Sequence, residues 1–366
     1  MTILTQASNQ WASRPADQRF LSLHELGAKV SFDRDRSNAK IVSSRRIEVQ
    51  PAADDQLRGI QVVGPNGHAV TPTHWSFGQL AQLAGAPAGY LRKLPAPIAA
   101  DAMNYGLKFD RDVEDVGLLL TRQDTGVELR AATGPRYGRV WNAEIVNALI
   151  GKFGDGRTGD FRVPGEFGKQ VEITKQNTTI YGSDRDMFVF LADEEHRIEM
   201  KDRRNGQPGS LARGFFVWNS EVGSQSIGAA FFLFDYVCMN RIVWGVQEFK
   251  EIRLRHTVSA PDKWLEQITP VLTEYANAST GPVEETIRQA QAKRVDTELD
   301  KFLAARFTKS QATQIKAAHE REEGRPIETV WDAVTGVTAF AKTIDYQDER
   351  IAIERAGGRL LDLVAN

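Results

Sequence analysis

The spacing of apolar residues changes character along the chain. From Thr73 onward, Phe77, Leu80, Ala81 and Ala84 fall at helical intervals, Gly85-Ala86-Pro87 interrupts, and Tyr90, Leu91 and Leu94 resume before Pro95. This predicts a helix, a turn and a second helix, with a third over roughly 98–107. Between Val116 and Thr257 the apolar runs shorten to strand length, at 116–121, 127–132, 178–181, 187–191, 213–218, 227–237 and 249–257, with one helix at 142–153 among them. In 227–237, Ile227, Ala229, Phe231, Leu233 and Val237 alternate with Ala230, Phe232, Phe234 and Tyr236, so both strand faces are apolar. Such a strand belongs in the centre of a sheet, covered on each side by helices or by a neighbouring subunit.

The flanks read differently. Residues 1–56 are polar and weakly periodic, which predicts a peripheral, weakly structured segment. Residues 57–110 hold a hairpin, with Gly64-Pro65-Asn66-Gly67 between two short β-like runs, followed by the helical region. Residues 111–260 form the β-rich core, and 261–366 a helical C-terminal region with starts near Pro261-Asp262, Gly281-Pro282 and Arg325-Pro326. Ile287, Val295, Leu299 and Leu303 give the second of these helices its packing face. The expected class is α+β: a central antiparallel β-rich domain, a helical N-terminal insertion and a helical C-terminal tail.

Composition narrows the function classes. The 366 residues carry 46 Lys and Arg against 48 Asp and Glu, a net charge of -2, so any nucleic-acid contact has to come from a local patch. One cysteine, Cys238, excludes an internal disulfide framework and every multi-cysteine zinc site, and it fits a reducing cytoplasm. Following an aromatic strand, it reads as a packing residue. With no signal-peptide pattern and no apolar run of spanning length, a cytoplasmic protein without membrane contact is expected.

Phosphate-loop, dinucleotide, zinc-protease and serine-hydrolase motifs are all absent, and the histidines are scattered without ligand spacing, so no cofactor, no metal and no enzymatic activity is expected. Asp193, Glu194, Glu195 and His196 form the densest acidic group, which reads as a charged turn rather than a cation site. The helix–turn–helix pattern at 73–94 offers only Arg92 and Lys93 as cations on its second helix, weak support for groove reading. Alternation puts His256 on the apolar side with Ile252 and Leu254, as a hydrogen-bonded structural residue, and Arg253 and Arg255 on the opposite side. Further cations are Arg130, Arg136 and Arg139 around Tyr137, then Lys201, Arg203, Arg204 and Arg213, then Arg241. Arginine pairs with phosphate and tyrosine stacks on bases, so Arg136, Tyr137, Arg139, Arg203, Arg204, Arg253 and Arg255 are the parts of a single-strand-binding groove. The competing reading makes them solvated strand edges.

Trp218-Asn219-Ser220-Glu221-Val222-Gly223-Ser224, with Val237-Cys238-Met239-Asn240, resembles the phage/plasmid-like protein family, domain of unknown function nine-three-two. Phe77-Gly78-Gln79-Leu80, the run from Pro87 to Pro95, Arg136-Tyr137-Gly138, Arg255-His256-Thr257 and Trp331-Asp332-Ala333-Val334-Thr335 agree with it in order. The chain departs from the family pattern at Glu221, Val222 and Arg241, where the family commonly has His, Asp and Gly, so no obligatory ligand is assigned there. The resemblance implies phage or plasmid biology. A fold-level similarity to Rad-fifty-two-type annealing proteins would imply an oligomeric ring binding single-stranded DNA in a basic groove. The leading expectation is single-stranded DNA binding and annealing in recombination or replication by a homo-oligomer. The alternative is an interaction protein binding a host or phage protein, and the last is a hydrolase using Asp193, Glu194, Glu195 and His256.

Overall fold

A computed structural model describes residues 15–64, 67–110, 115–164, 172–204, 207–236, 240–244, 251–295 and 298–365. After β1 (Arg19–Phe20), helix α1 (Leu23–Asp35) buries Leu23, Leu26 and Val30, and Ser22 caps it by accepting from the Glu25 amide. Strands β2 (Ser37–Ser43), β3 (Glu48–Pro51), β4 (Ile60–Val63) and β5 (Ala69–Pro72) follow. Helices α2 (His74–Leu83), α3 (Ala88–Leu91) and α4 (Ala96–Tyr105) come next, and α4 runs on as a π-helical turn, Gly106–Asp110. Strands β6 (Asp115–Gln123) and β7 (Gly126–Thr133) complete a six-stranded sheet in the order β2-β6-β7-β5-β4-β3, against which Phe77, Leu80, Ala99 and Met103 pack. Residues 15–56 are therefore built into the structure rather than peripheral: Leu23, Ile47 and Val49 are core residues. The expected hairpin is present as the antiparallel β4–β5 pair, its Pro65 and Asn66 lying outside the described residues. Helix α3 is a single turn, too short for a groove-reading helix, and Arg92 instead donates to the His74 carbonyl and covers the Phe77 ring.

Helix α5 (Asn142–Phe153) leads to β8 (Phe161–Arg162), β9 (Ile180–Gly182), β10 (Met187–Asp193), β11 (Ile198–Arg204), β12 (Gln207–Asn219), β13 (Ile227–Asp235), β14 (Asn240–Ile242) and β15 (Ile252–Leu254). With β1 they make a nine-stranded antiparallel sheet whose main path is β1-β9-β10-β12-β13-β14. As its pattern predicts, β13 is central and buried along its whole length. One face, with Val189, Phe215, Val217, Ala229 and Phe231, packs on α1, α5 and the first C-terminal helices through Leu26, Val146, Trp264 and Tyr275. On the other face lie Phe190, Phe216, Trp218, Phe232 and Phe234, which meet Val243 and Ile351. This chain thus covers both faces of β13, which removes the strand as a reason for a second subunit. Trp218 and Trp244 are buried as well.

The tail is helical: α6 (Ala260–Lys263) with a π turn (Trp264–Ile268), α7 (Thr269–Asn277), α8 (Gly281–Ala292), α9 (Leu299–Ala304), α10 (Lys309–Glu323), α11 (Val330–Ala341) and α12 (Gln347–Gly358). Leu299 and Leu303 belong to α9, not to a continuation of α8. The helix expected near Arg325-Pro326 starts at Val330, because Thr329 and Asp332 form a capping box. The Asp332 carboxylate also takes both arms of Arg325, at 2.9 and 2.5 Å. The class is α+β, as expected. No helix among the described residues is long and apolar enough to cross a membrane.

Candidate nucleic-acid interface

The end of β12 and the turn after it carry polar side chains with almost no exposure: Asn219, Ser220 and Glu221. Such groups persist only when paired. Asn219 donates to the Val140 carbonyl at 2.8 Å and to Asn142 Oδ1 at 2.7 Å. One Glu221 oxygen accepts from the Asn142 amide at 2.8 Å, and the other lies 3.1 Å from the buried Arg130 guanidinium. Trp75 and Gln79 of α2 both donate to the Val222 carbonyl, at 2.9 and 2.8 Å. This segment therefore ties the six-stranded sheet and the start of α5 to the large sheet. The carboxylate that departs from the family pattern serves this joint, a role invisible in sequence because Arg130 and Glu221 are far apart along the chain.

Beside the joint, residues 134–139 lie along the end of β15. Gly138 donates to the His256 carbonyl at 3.0 Å, and His256 Nδ1 returns a bond to the Gly138 carbonyl at 2.9 Å. Position 138 requires glycine here, since a Cβ would sit 1.7 Å from the Thr257 oxygen. Tyr137 donates to the Ser220 carbonyl at 2.6 Å, and Arg139 Nε to the Glu221 carbonyl at 2.7 Å. Burial raises the Tyr137 pKa and lowers those of Arg139 and His256, so His256 is neutral near pH 7.

This arrangement sorts the predicted residues. Arg136, Arg253 and Arg255 are exposed, and Tyr137, Arg139 and His256 are half-buried. The Gly138–His256 bonds bring the Arg136 and Arg255 segments side by side, whereas Arg253 lies over the Trp218 ring on the other face of the sheet, 5.8 Å from its centroid. Tyr137 already has His256 stacked on its ring and the Arg139 guanidinium 5.5 Å from its centroid, so its aromatic surface is largely occupied. Arg253 pairs with Glu251 at 2.8 Å, an acid that Arg355 also reaches at 2.9 Å. Arg203 and Arg204 lie at the opposite end of the sheet. Arg204 pairs with Gln207, whereas Arg253 stands in the row of Gly228 and Trp218, about 36 Å further along β12. Sequence reasoning missed Arg34, which is exposed, pairs with Glu144 at 2.8 Å, and shares the Trp141 ring with Arg139. A helical arginine among charged neighbours gives no sequence signal of that contact.

Arg213, Arg241 and the acidic turn have internal partners. Arg213 donates to the Ala278 carbonyl at 2.5 Å, and Arg241 is buried on Glu354 at 3.0 Å. Asp193 accepts from the His196 amide at 2.9 Å and meets His196 Nδ1 at 3.1 Å, while Glu194 pairs with Arg197 at 2.8 Å. The turn borders a cleft of about 530 Å³ lined by Lys152, Asp160 and His196. Asp193 follows the Ala192–Gly214 pair, so at least about 17 Å of strand separates it from the Trp218–Gly228–Arg253 row and from His256 beyond. The acids and His256 do not converge. Among the described residues no group of three or more His, Cys, Asp or Glu side chains could hold a metal, and Cys238 lies outside them.

The class defined here is an α+β protein in which a large antiparallel sheet is sandwiched by its own helices and jointed to a smaller sheet through a buried Asn-Ser-Glu turn. Residues 168–357, just over half of the chain, match the family described as Domain of unknown function (DUF932), and the chain belongs to that family. The Trp218–Ser224, Arg255–Thr257 and Trp331–Thr335 segments fall inside the match, whereas Phe77–Leu80, Pro87–Pro95 and Arg136–Gly138 precede it. No curated protein and no solved structure matches the chain.

Proposed function

We propose that this protein binds single-stranded DNA without catalysing a reaction, and that it serves annealing in phage or plasmid recombination or replication. The observation that carries the reading is that Arg136 and Arg255 are exposed on two segments held side by side by the Gly138–His256 hydrogen bonds, with the exposed Arg253 on the same strand as Arg255 and with Arg139 and Arg34 both on the Trp141 ring. Arginine offers phosphate a planar fork of donors, and a chain of net charge -2 needs such concentration to hold a polyanion. Tyr137 contributes by holding the Arg136 segment to the joint rather than by stacking a base. The supporting step from family to mobile-element biology is resemblance, and the homo-oligomer belongs to the same proposal.

The alternative, an interaction protein with a protein partner, is favoured by one observation: Arg34 and Arg253 already have carboxylate partners in Glu144 and Glu251. Fluorescence anisotropy with single-stranded and duplex probes at about 50 mM salt, where electrostatic binding is strong, separates the two. Length-dependent binding of single strands supports the proposal, and no binding there overturns it.

A further inference from the structure

Helix α4 and its π turn are apolar on two sides. The inner side, Ala96, Ala99, Ala100, Met103 and Leu107, is buried in the core. The outer side carries Ile98, Ala102, Tyr105 and Phe109 at helical spacing, all exposed, with Tyr105 and Phe109 at 62% and 74% and their rings 6.0 Å apart. Single exposed apolar residues are ordinary, but a continuous stripe ending in two aromatics is an interaction surface. The helix cannot roll to bury it, because Gly106 passes so close to the Ala84 backbone that a Cβ would lie 1.9 Å from its oxygen.

We infer that this stripe is the seam of a symmetric dimer, in which α4 packs antiparallel against α4 of a second copy. The order of residues supports that occupant. An antiparallel pair related by a two-fold axis between Met103 and Asn104 sets Ile98 opposite Phe109 and Ala102 opposite Tyr105, so a small residue meets a large one at each inner contact. The same register brings Asp101, which is exposed, alongside Lys108 of the other copy. Lys108 reaches Glu48 only at 4.0 Å and has the length to bridge across the seam. A carboxylate beside the middle of the stripe disfavours a lipid occupant and suits a partner that supplies a lysine there. Four side chains along about 18 Å of helix bury less than the roughly 800 Å² per partner of a standard interface, so the dimer is weak, with dissociation in the micromolar range. The inference is independent of DNA binding.

Sedimentation velocity on the full chain from about 1 to 200 µM, a range spanning micromolar dissociation, tests it. The protein should pass from monomer to dimer, and Tyr105→Lys with Phe109→Lys should leave it monomeric with an unchanged melting temperature, since both positions are exposed. Asp101→Lys alone and Lys108→Asp alone should each weaken association about 3- to 10-fold, and the two together should restore it. A monomer throughout, or a dimer indifferent to all these substitutions, overturns the inference.

Discussion

The Tyr137 ring stacks on the His256 imidazole, with centroids 4.7 Å apart and planes inclined by 25°. Since a carbonyl oxygen only accepts, the bond to Gly138 fixes the proton of neutral His256 on Nδ1. Nε2 is buried and unpartnered among the described residues. Protonation would place a second charge beside Arg139 in a half-buried site, and desolvation already lowers the His256 pKa.

This gives a pH dependence whose sign is determined. The unfolded imidazole titrates near 6.5 and the folded one lower, so in the window between them the unfolded chain binds a proton that the folded chain does not. The contribution of His256 is complete above about 6.5 and is lost as pH falls through the folded value. Urea unfolding at about pH 7.5 and 5.5, on either side of the unfolded value near 6.5, should show a larger loss for the native chain than for His256→Gln. An equal loss in both would remove His256 as the titrating group.

The Arg130–Glu221 pair is buried on both sides, with side chains 5% and 4% exposed. Breaking such a pair leaves one desolvated charge unmatched, at a cost of about 3–5 kcal/mol. Glu221→Leu and Arg130→Met should each lower the melting temperature substantially. The double variant should be more stable than their summed effects imply, as a thermal double-mutant cycle would read. Additive effects would show that the two charges do not depend on each other.

The extent to which this fold is legible from sequence follows from which pattern each element carries. Strand β13 and helix α5 were readable because continuous or periodic apolar residues mark them. Helix α1 was not, since its apolar Leu23, Leu26 and Val30 are diluted by charge, and β2 is a largely exposed edge strand, SNAKIVS, without an apolar face. Arg136, Arg253 and Arg255 were legible as cations, but their exposure was not. An arginine in a strand looks the same in sequence whether it faces solvent, as Arg253 does, or is buried, as Arg130, Arg213 and Arg241 are.

The buried Arg241 and the half-buried Arg350 share one acid: Glu354 Oε1 accepts from Arg241 Nε at 3.0 Å and from Arg350 Nε at 2.8 Å. Glu354→Gln would leave two cations facing each other without a counter-charge, and an expected cost of about 3–5 kcal/mol follows. Arg350→Met removes one of the two like charges while Arg241 keeps its partner, so it should cost clearly less. Chemical denaturation of the two variants checks the order, and an equal or reversed order would show that Arg350 holds α12 by packing rather than by charge.

The DNA proposal makes a prediction in which length discriminates. The exposed Arg136 and Arg255 flank the paired Gly138 and His256, and the Arg204–Gln207 end of β11 and β12 lies about 36 Å from the Arg253 row along the sheet. Each phosphate contact on a single strand contributes roughly -0.7 to the slope of log affinity against log salt. Arg136→Ala with Arg255→Ala should therefore make the slope less steep by about 1.4 for oligonucleotides of every length that binds. Arg203→Ala with Arg204→Ala should leave short oligonucleotides unaffected and reduce the slope only for strands long enough to span both ends. Tyr137→Phe keeps the ring but removes the bond to the Ser220 carbonyl, so it should lower stability more than affinity. If instead Arg203 and Arg204 govern short oligonucleotides while Arg136 and Arg255 have no effect, the binding surface is at the other end of the sheet and the assignment made here fails.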